Sequence, residues 1–151
     1  MKLYKPDIIF HLGAQSQVRK AIQNPAETFS KNIQGTWDIL EAARLTNVKR
    51  IIIASTDKAY GEGLFKKETD VLNAIHPYDV SKLTADKLAH TYLKSYKMNI
   101  AITRCANVFG KGDTNYDRLI PDTILKVQQN IQPILRSDGK SERDWLYIKD
   151  C

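Results

Sequence analysis

Only two of the 151 residues are cysteine, Cys105 and Cys151, and they form no CxxC pair. The three histidines, His11, His76 and His90, lie on separate segments. That scarcity argues against a metal site built from closely spaced ligands, and a reducing cytosol suffices as a setting. No apolar run approaches the ~18 residues that a membrane helix needs. The densest is Arg50 to Ala54. No apolar segment follows the basic start at Met1 to Pro6, so no secretory signal is expected. Internal repeats and low-complexity tracts are absent. Lys and Arg outnumber Asp and Glu by 23 to 17, a formal charge of +6. The basic residues are scattered and never make a run of about five. Charge alone therefore describes a solvated surface rather than a nucleic-acid-binding module, and it also suits an anionic small ligand.

What the sequence does have is alternation. Residues 7–12 read as a buried strand, and residues 50–54 as a second strand buried on both faces. Residues 99–104 read as a third. Between the first two, Asn24 can cap a helix, Pro25 suits its first position and Glu27 can reach back to the cap. Phe29, Ile33, Trp37, Leu40 and Ala43 then predict one apolar stripe to about Leu45. Val80, Leu83, Leu88 and Tyr92 mark a helix after Pro77. Residues 117–129 predict another, with Pro121 in its first turns, and residues 133–136 a short strand. Strands alternating with helices indicate an α/β fold with a parallel sheet, in which ligands dock at the carboxyl ends of the strands.

The loops at those ends carry the candidate chemistry. After the second strand comes Ser55-Thr56-Asp57-Lys58, which is either a ligand-facing turn or a polar cap. Twenty-three positions after Ser55 comes Tyr78-Asp79-Val80-Ser81-Lys82. On a helix, Tyr78 and Lys82 share a face. An ammonium beside a phenol favours the phenolate, so Tyr78 becomes a proton acceptor near neutral pH. A hydroxyl from Ser55 or Thr56 could orient the same substrate oxygen. Gly61-Glu62-Gly63 and Gly110-Lys111-Gly112 are each only GxG, and both are read as turns.

Taken in order, Phe10 to Gln15, Asn32 to Thr36, Ser55 to Gly61, Tyr78 to Lys82 and Arg104 to Gly110 resemble the extended short-chain dehydrogenase/reductase family of nucleotide-sugar epimerases and dehydratases. The resemblance runs from about Asp7 to Asp150. It implies a partial Rossmann-type, doubly wound parallel sheet with NAD as cofactor. Residues 1–110 would be the partial NAD-binding region and residues 111–151 the start of the nucleotide-sugar-binding region. Gly13, Ala14, Gln15, Asn32, Ser55, Tyr78 and Lys82 would lie at the cofactor. Thr56, Asp57, Lys58, Tyr78 and Lys82 would be catalytic. Asn107, Arg118 and Arg143 would bind the substrate's diphosphate, and no metal is implied. The resemblance also implies dimerisation through a four-helix interface near Asn32 and Tyr78, in a cytoplasmic protein.

Within the family, Asp57 resembles dehydratases, whereas epimerases have a small or neutral residue there. Asp57-Lys58 and the segments 15–19 and 112–122 are similar to CDP-glucose 4,6-dehydratases. The segment 143–150 follows the general family pattern, which leaves another base or sugar open. The implied chemistry is oxidation at sugar C4 assisted by Tyr78, loss of the C5 proton to Lys58, and loss of the 6-hydroxyl with a proton from Asp57. Reduction at C6 then yields a 4-keto-6-deoxy sugar nucleotide. For Lys58, a salt bridge to Asp57 or Glu62 is the equal alternative. A 4-epimerase and a non-catalytic ligand- or partner-binding remnant are the competing readings. The family's Gly-rich phosphate loop is expected upstream of Asp7. The sequence thus reads as the central part of a longer enzyme, with weak NAD binding and little activity by itself.

Overall fold

A computed structural model describes residues 1–151 except Leu64 and Arg136. The chain divides into two compact units, Met1–Arg104 and Cys105–Cys151.

In the first unit, β1 (Ile8–His11), β2 (Arg50–Ala54) and β3 (Ile100–Thr103) form a parallel sheet in that order. Ile9 aligns with Ile51, and Ile51 with Ile100, so the three stand in one row on one face. Between β1 and β2 run α1 (Val18–Gln23), α2 (Pro25–Phe29) and α3 (Gly35–Leu45), and α4 (Pro77–Tyr96) connects β2 to β3. Two successive right-handed crossovers that step to the next strand in the same direction put their helices on the same face. Leu40 and Ala43 of α3 and Ala89 and Tyr92 of α4 therefore close over Ile51, Ile53 and Ile100 to form the core.

The other face is uncovered among the described residues. This corrects the expectation of a buried strand over residues 7–12. β1 lies at a sheet edge, and Ile8, Phe10 and Leu12 are exposed, Phe10 by 67%. β2 has a strand on each side, yet only Ile51 and Ile53 are buried and Ile52 is half-buried.

The capping expected at Asn24 is present. Its side-chain oxygen accepts the Glu27 N–H at 3.2 Å, its amide donates to the Glu27 carboxylate at 3.0 Å, and Pro25 occupies the first turn. The predicted stripe is broken, however. A wide π turn, Ser30–Gln34, joins α2 to α3. Wider turns carry more residues per revolution, which rotates the following helix relative to the preceding one. Asn32 takes the buried position, and Trp37 turns outward to 48% exposure.

In the second unit, β4 (Asn107–Phe109) pairs in parallel with β5 (Trp145–Tyr147), and α5 (Leu119–Gln128) lies between them in sequence. Pro121 sits in the first turn of α5 as expected, and among the described residues of this unit it alone is buried. The strand predicted over residues 133–136 is absent from Pro133 to Leu135, which pair with no other strand, and Arg136 lies outside the described residues. At Gly110, an added Cβ would lie 2.3 Å from the Ile148 side chain, so the turn reading of that glycine has a steric basis.

Candidate active site

The first unit brings ten of the candidate residues to the carboxyl ends of β1 and β2 and to the first turns of α4. Gly13, Ala14 and Gln15 follow β1 directly. Asn32 holds this loop through three hydrogen bonds. Its side-chain oxygen accepts the Gln15 N–H at 2.7 Å, and its amide donates to the Gln15 carbonyl at 3.0 Å and to Ser81 Oγ at 2.8 Å. Ser81 passes its own proton to the Tyr78 carbonyl at 2.6 Å. One buried amide thus couples the β1 loop to the start of α4. Gln15 extends the network, its side-chain amide donating to Thr28 Oγ1 at 3.1 Å.

The β2 end is arranged around Lys82. Tyr78 and Lys82 stand four residues apart on α4 and share a face. Lys82 is buried, and its ammonium donates to the Ala54 carbonyl, the last of β2. Burial lowers the Lys82 pKa, and the negative charge of Asp86 partly restores it. Ser55 Oγ, one residue past that carbonyl, is buried without a partner among the described residues.

Thr56 caps a 3-10 turn, Asp57–Tyr60. Asp57 Oδ1 accepts both the Thr56 hydroxyl at 2.9 Å and the Lys58 N–H at 2.8 Å. Oδ1 is thereby committed to accepting. No ion pair joins Lys58 to Asp57 or Glu62 among the described residues, so the salt-bridge alternative is not realised. Gly61 ends the turn at a φ of 76°, and an added Cβ would lie 2.4 Å from the Asn73 carbonyl oxygen, so only glycine fits there.

Several further residues take part in the site. His11 Nε2 meets Thr36 Oγ1 at 3.1 Å, and Thr36 donates its only proton to the Asn32 carbonyl at 2.6 Å. The hydrogen-bond network therefore assigns the Nε2–H tautomer to His11. Burial holds its pKa below the usual imidazole value, and the charge of Lys82 adds to this. Asp79 follows Tyr78 and has a buried carboxylate oxygen with no hydrogen bond among the described residues. Burial raises its pKa, against Lys58 and His76, which lower it, and together with Asp57, which raises it. Asp86 is 1% exposed and binds Arg104 at 2.7 and 3.1 Å, and Arg104 also donates to the Tyr60 hydroxyl at 2.9 Å. This cluster ties β3, α4 and the 57–60 turn together. A charged residue one helical turn beyond the Tyr-Lys pair was the available signal.

The other three candidates lie in the second unit, each with an internal partner. Asn107 donates to the Asp144 carbonyl at 3.4 Å. Arg118 binds Asp113 at 2.9 Å and the Val108 carbonyl at 3.3 Å. Arg143 donates to the adjacent Glu142 carbonyl at 2.7 Å. Within the first unit, a cavity of about 430 Å³ is lined by Met1, Asp7, Leu45 and Lys49 at the opposite ends of β1 and β2, away from the Tyr78–Lys82 pair. Ligands of parallel sheets dock at the carboxyl ends, so the polar cluster is the better candidate.

Comparison with known proteins agrees with this architecture. The model of the NAD dependent epimerase/dehydratase family matches residues 1–151. CDP-glucose 4,6-dehydratase of Salmonella typhimurium is 32% identical over 158 residues, covering 96% of this chain and 44% of that protein. An uncharacterized UDP-glucose epimerase of Bacillus subtilis is 37% identical over 150 residues, covering 96% and 46%. Among solved structures, the dTDP-glucose 4,6-dehydratase of Streptomyces venezuelae with NAD and TYD bound superposes with a TM-score of 0.89 at 30% identity, covering 99% of this chain and 47% of that one. The chain spans less than half the length of curated relatives that it matches, 36% of one and 49% of another.

Proposed function

The chain belongs to the NAD dependent epimerase/dehydratase family, and from that premise we propose that it carries the proton-moving machinery of a nucleotide-sugar 4,6-dehydratase of the CDP-glucose type. The observation that carries this reading is the burial of the Lys82 ammonium at the last carbonyl of β2, one helical turn from Tyr78 and adjacent to the Thr56–Lys58 turn.

The residues present fit the nicotinamide half of NAD. The unpartnered Ser55 Oγ and the Lys82 ammonium offer polar groups at the carboxyl end of β2, where a ribose or carboxamide would dock. Gly13, Ala14, Gln15, Asn32, Ser55, Tyr78 and Lys82 are the proposed contacts. When bound, NAD supplies a reversible two-electron acceptor for sugar C4. Lys82 stabilises the Tyr78 phenolate, which takes the proton of the sugar 4-hydroxyl. Thr56 orients the same oxygen. Once C4 is a ketone, the C5 proton is acidic, and the Lys58 amine takes it. Asp57 Oδ2 gives a proton to the 6-hydroxyl as it leaves as water. Asn107, Arg118 and Arg143 are the proposed donors to a diphosphate, for which the guanidinium fork is suited. Pairing of two copies through α3 and α4 belongs to the same proposal, and Trp37, Leu45 and Tyr96 are exposed apolar residues of those helices.

The similarity to epimerases supports 4-epimerisation as a second reading. Mass spectrometry of CDP-glucose incubated with the protein and NAD separates the two. Dehydration removes one water, and an epimer keeps its mass. Tyr78→Phe is expected to abolish the product, and Asp57→Asn to block water loss. Turnover that survives either substitution overturns the corresponding role.

A further inference from the structure

The two cysteines are the first and last residues of the second unit. Their sulfurs lie 3.8 Å apart, in van der Waals contact, although 46 positions separate them in sequence. The turn after β5 produces this approach. Ile148 N–H bonds the Phe109 carbonyl at 2.9 Å, and both Asp150 and Cys151 bond the Tyr147 carbonyl, at 3.0 and 3.1 Å. Cys151 is thereby held beside Cys105, just ahead of β4. Cys151 is exposed and Cys105 partly so, so reagents reach the pair.

We propose that Cys105 and Cys151 are a disulfide-forming site that joins the segment ahead of β4 to the turn after β5 in response to a low-molecular-weight disulfide such as oxidised glutathione. Among its described residues the unit has one helix, two three-residue strands and hardly any buried core, the setting in which a covalent staple matters most. The chemistry balances as two thiol–disulfide exchanges. The exposed Cys151 thiolate attacks the glutathione disulfide, forming a mixed disulfide and releasing one glutathione thiol. The Cys105 thiolate then attacks Cys151 Sγ and expels the second. The protein loses two electrons and two protons, and one glutathione disulfide becomes two thiols. Hydrogen bonding to Cys105 raises the Cys151 pKa, so closure accelerates as pH rises. The bond also anchors Cys105 two residues before Asn107.

The test equilibrates the 151-residue chain in glutathione redox buffers, quenches with acid, alkylates free thiols and measures intact mass. The expected result is a monomer that loses two hydrogens and resists alkylation, with the Cys105 and Cys151 peptides joined in a digest. Cys105→Ser and Cys151→Ser should each stop at a single glutathione adduct. The folded chain should form the bond at least roughly tenfold more readily than the chain in urea, because folding holds the sulfurs in contact. Two free thiols at every redox ratio, stable double glutathione adducts, intermolecular bonds only, or an equal tendency in urea would each overturn the proposal.

Discussion

Arg104 in the first unit and Arg118 in the second each hold an aspartate, at 2.7 and 2.9 Å. Their surroundings differ. Asp86 is 1% exposed, and its partner reaches further to the Tyr60 hydroxyl. The Asp113 and Arg118 side chains are 18% and 45% exposed. The same contrast runs through both units. The first packs α3 and α4 as one layer on three parallel strands and buries Asn32, Ser81, Lys82 and Asp86. Among its described residues, the second has strands of three residues and one amphipathic helix. Contact distance therefore says little about what a polar bond contributes. The worth of the bond depends on whether water can replace a lost partner.

The sharpest test of that contrast is Arg104→Met. It leaves Asp86 buried and unpaired and should cost about 3–5 kcal/mol, read as a lower urea midpoint with loss of the 57–60 turn. A cost under about 1 kcal/mol would place Asp86 within reach of water and erase the difference between the units.

Asn32→Ala comes next. It orphans the Gln15 N–H in a part-buried loop, for an expected loss of about 2 kcal/mol, and amide exchange at Gln15 should quicken together with exchange in the first turn of α4. Quickening at only one of those places would show that Asn32 does not couple them.

A smaller effect is expected from acid. The unfolded His11 takes up a proton near pH 6.5, whereas burial and Lys82 keep the folded imidazole neutral to lower pH. The stability tied to its neutral form is therefore complete above that pH and declines as pH falls from there through the folded-state pKa. Comparing urea midpoints at several pH values for the wild type and His11→Gln isolates this contribution, and parallel curves would refute it.

The smallest change should follow Arg118→Ala, within about 1 kcal/mol because water screens the pair. A loss as large as that at Arg104 would mean that the second unit is far better packed than its exposure indicates.

How much of this was legible beforehand depended on range. The Asn24 cap, the Tyr78–Lys82 spacing and the alternation of strands and helices are local, and each was readable from neighbouring residues. β4 and β5 were not anticipated, because three residues show no periodicity and their pairing joins Asn107 to Trp145 across 38 positions. α1 escaped notice because it is six residues long and lacks a side-chain cap. The π turn could not be seen either, since its effect is to place Asn32 rather than a neighbouring apolar residue against Gln15 and Ser81. The site divided in the same way. Tyr78, Lys82 and the Thr56–Lys58 turn could be nominated from chemistry and spacing. His11, Ser81, Asp79 and Asp86 became visible only as neighbours of those residues.

The sequence by itself determined that the segments around β1, β2 and β3 extend, that a capped helix starts at Pro25, and that a phenol and an ammonium share one face of a helix, because backbone sterics and side-chain periodicity act over a few residues. Tertiary structure alone decided that Lys82 meets the carbonyl of Ala54, that Asn32 joins the β1 loop to α4, and that Cys105 touches Cys151. Those contacts depend on packing between distant segments, and burial then shifts the pKa values of Lys82 and His11 downward.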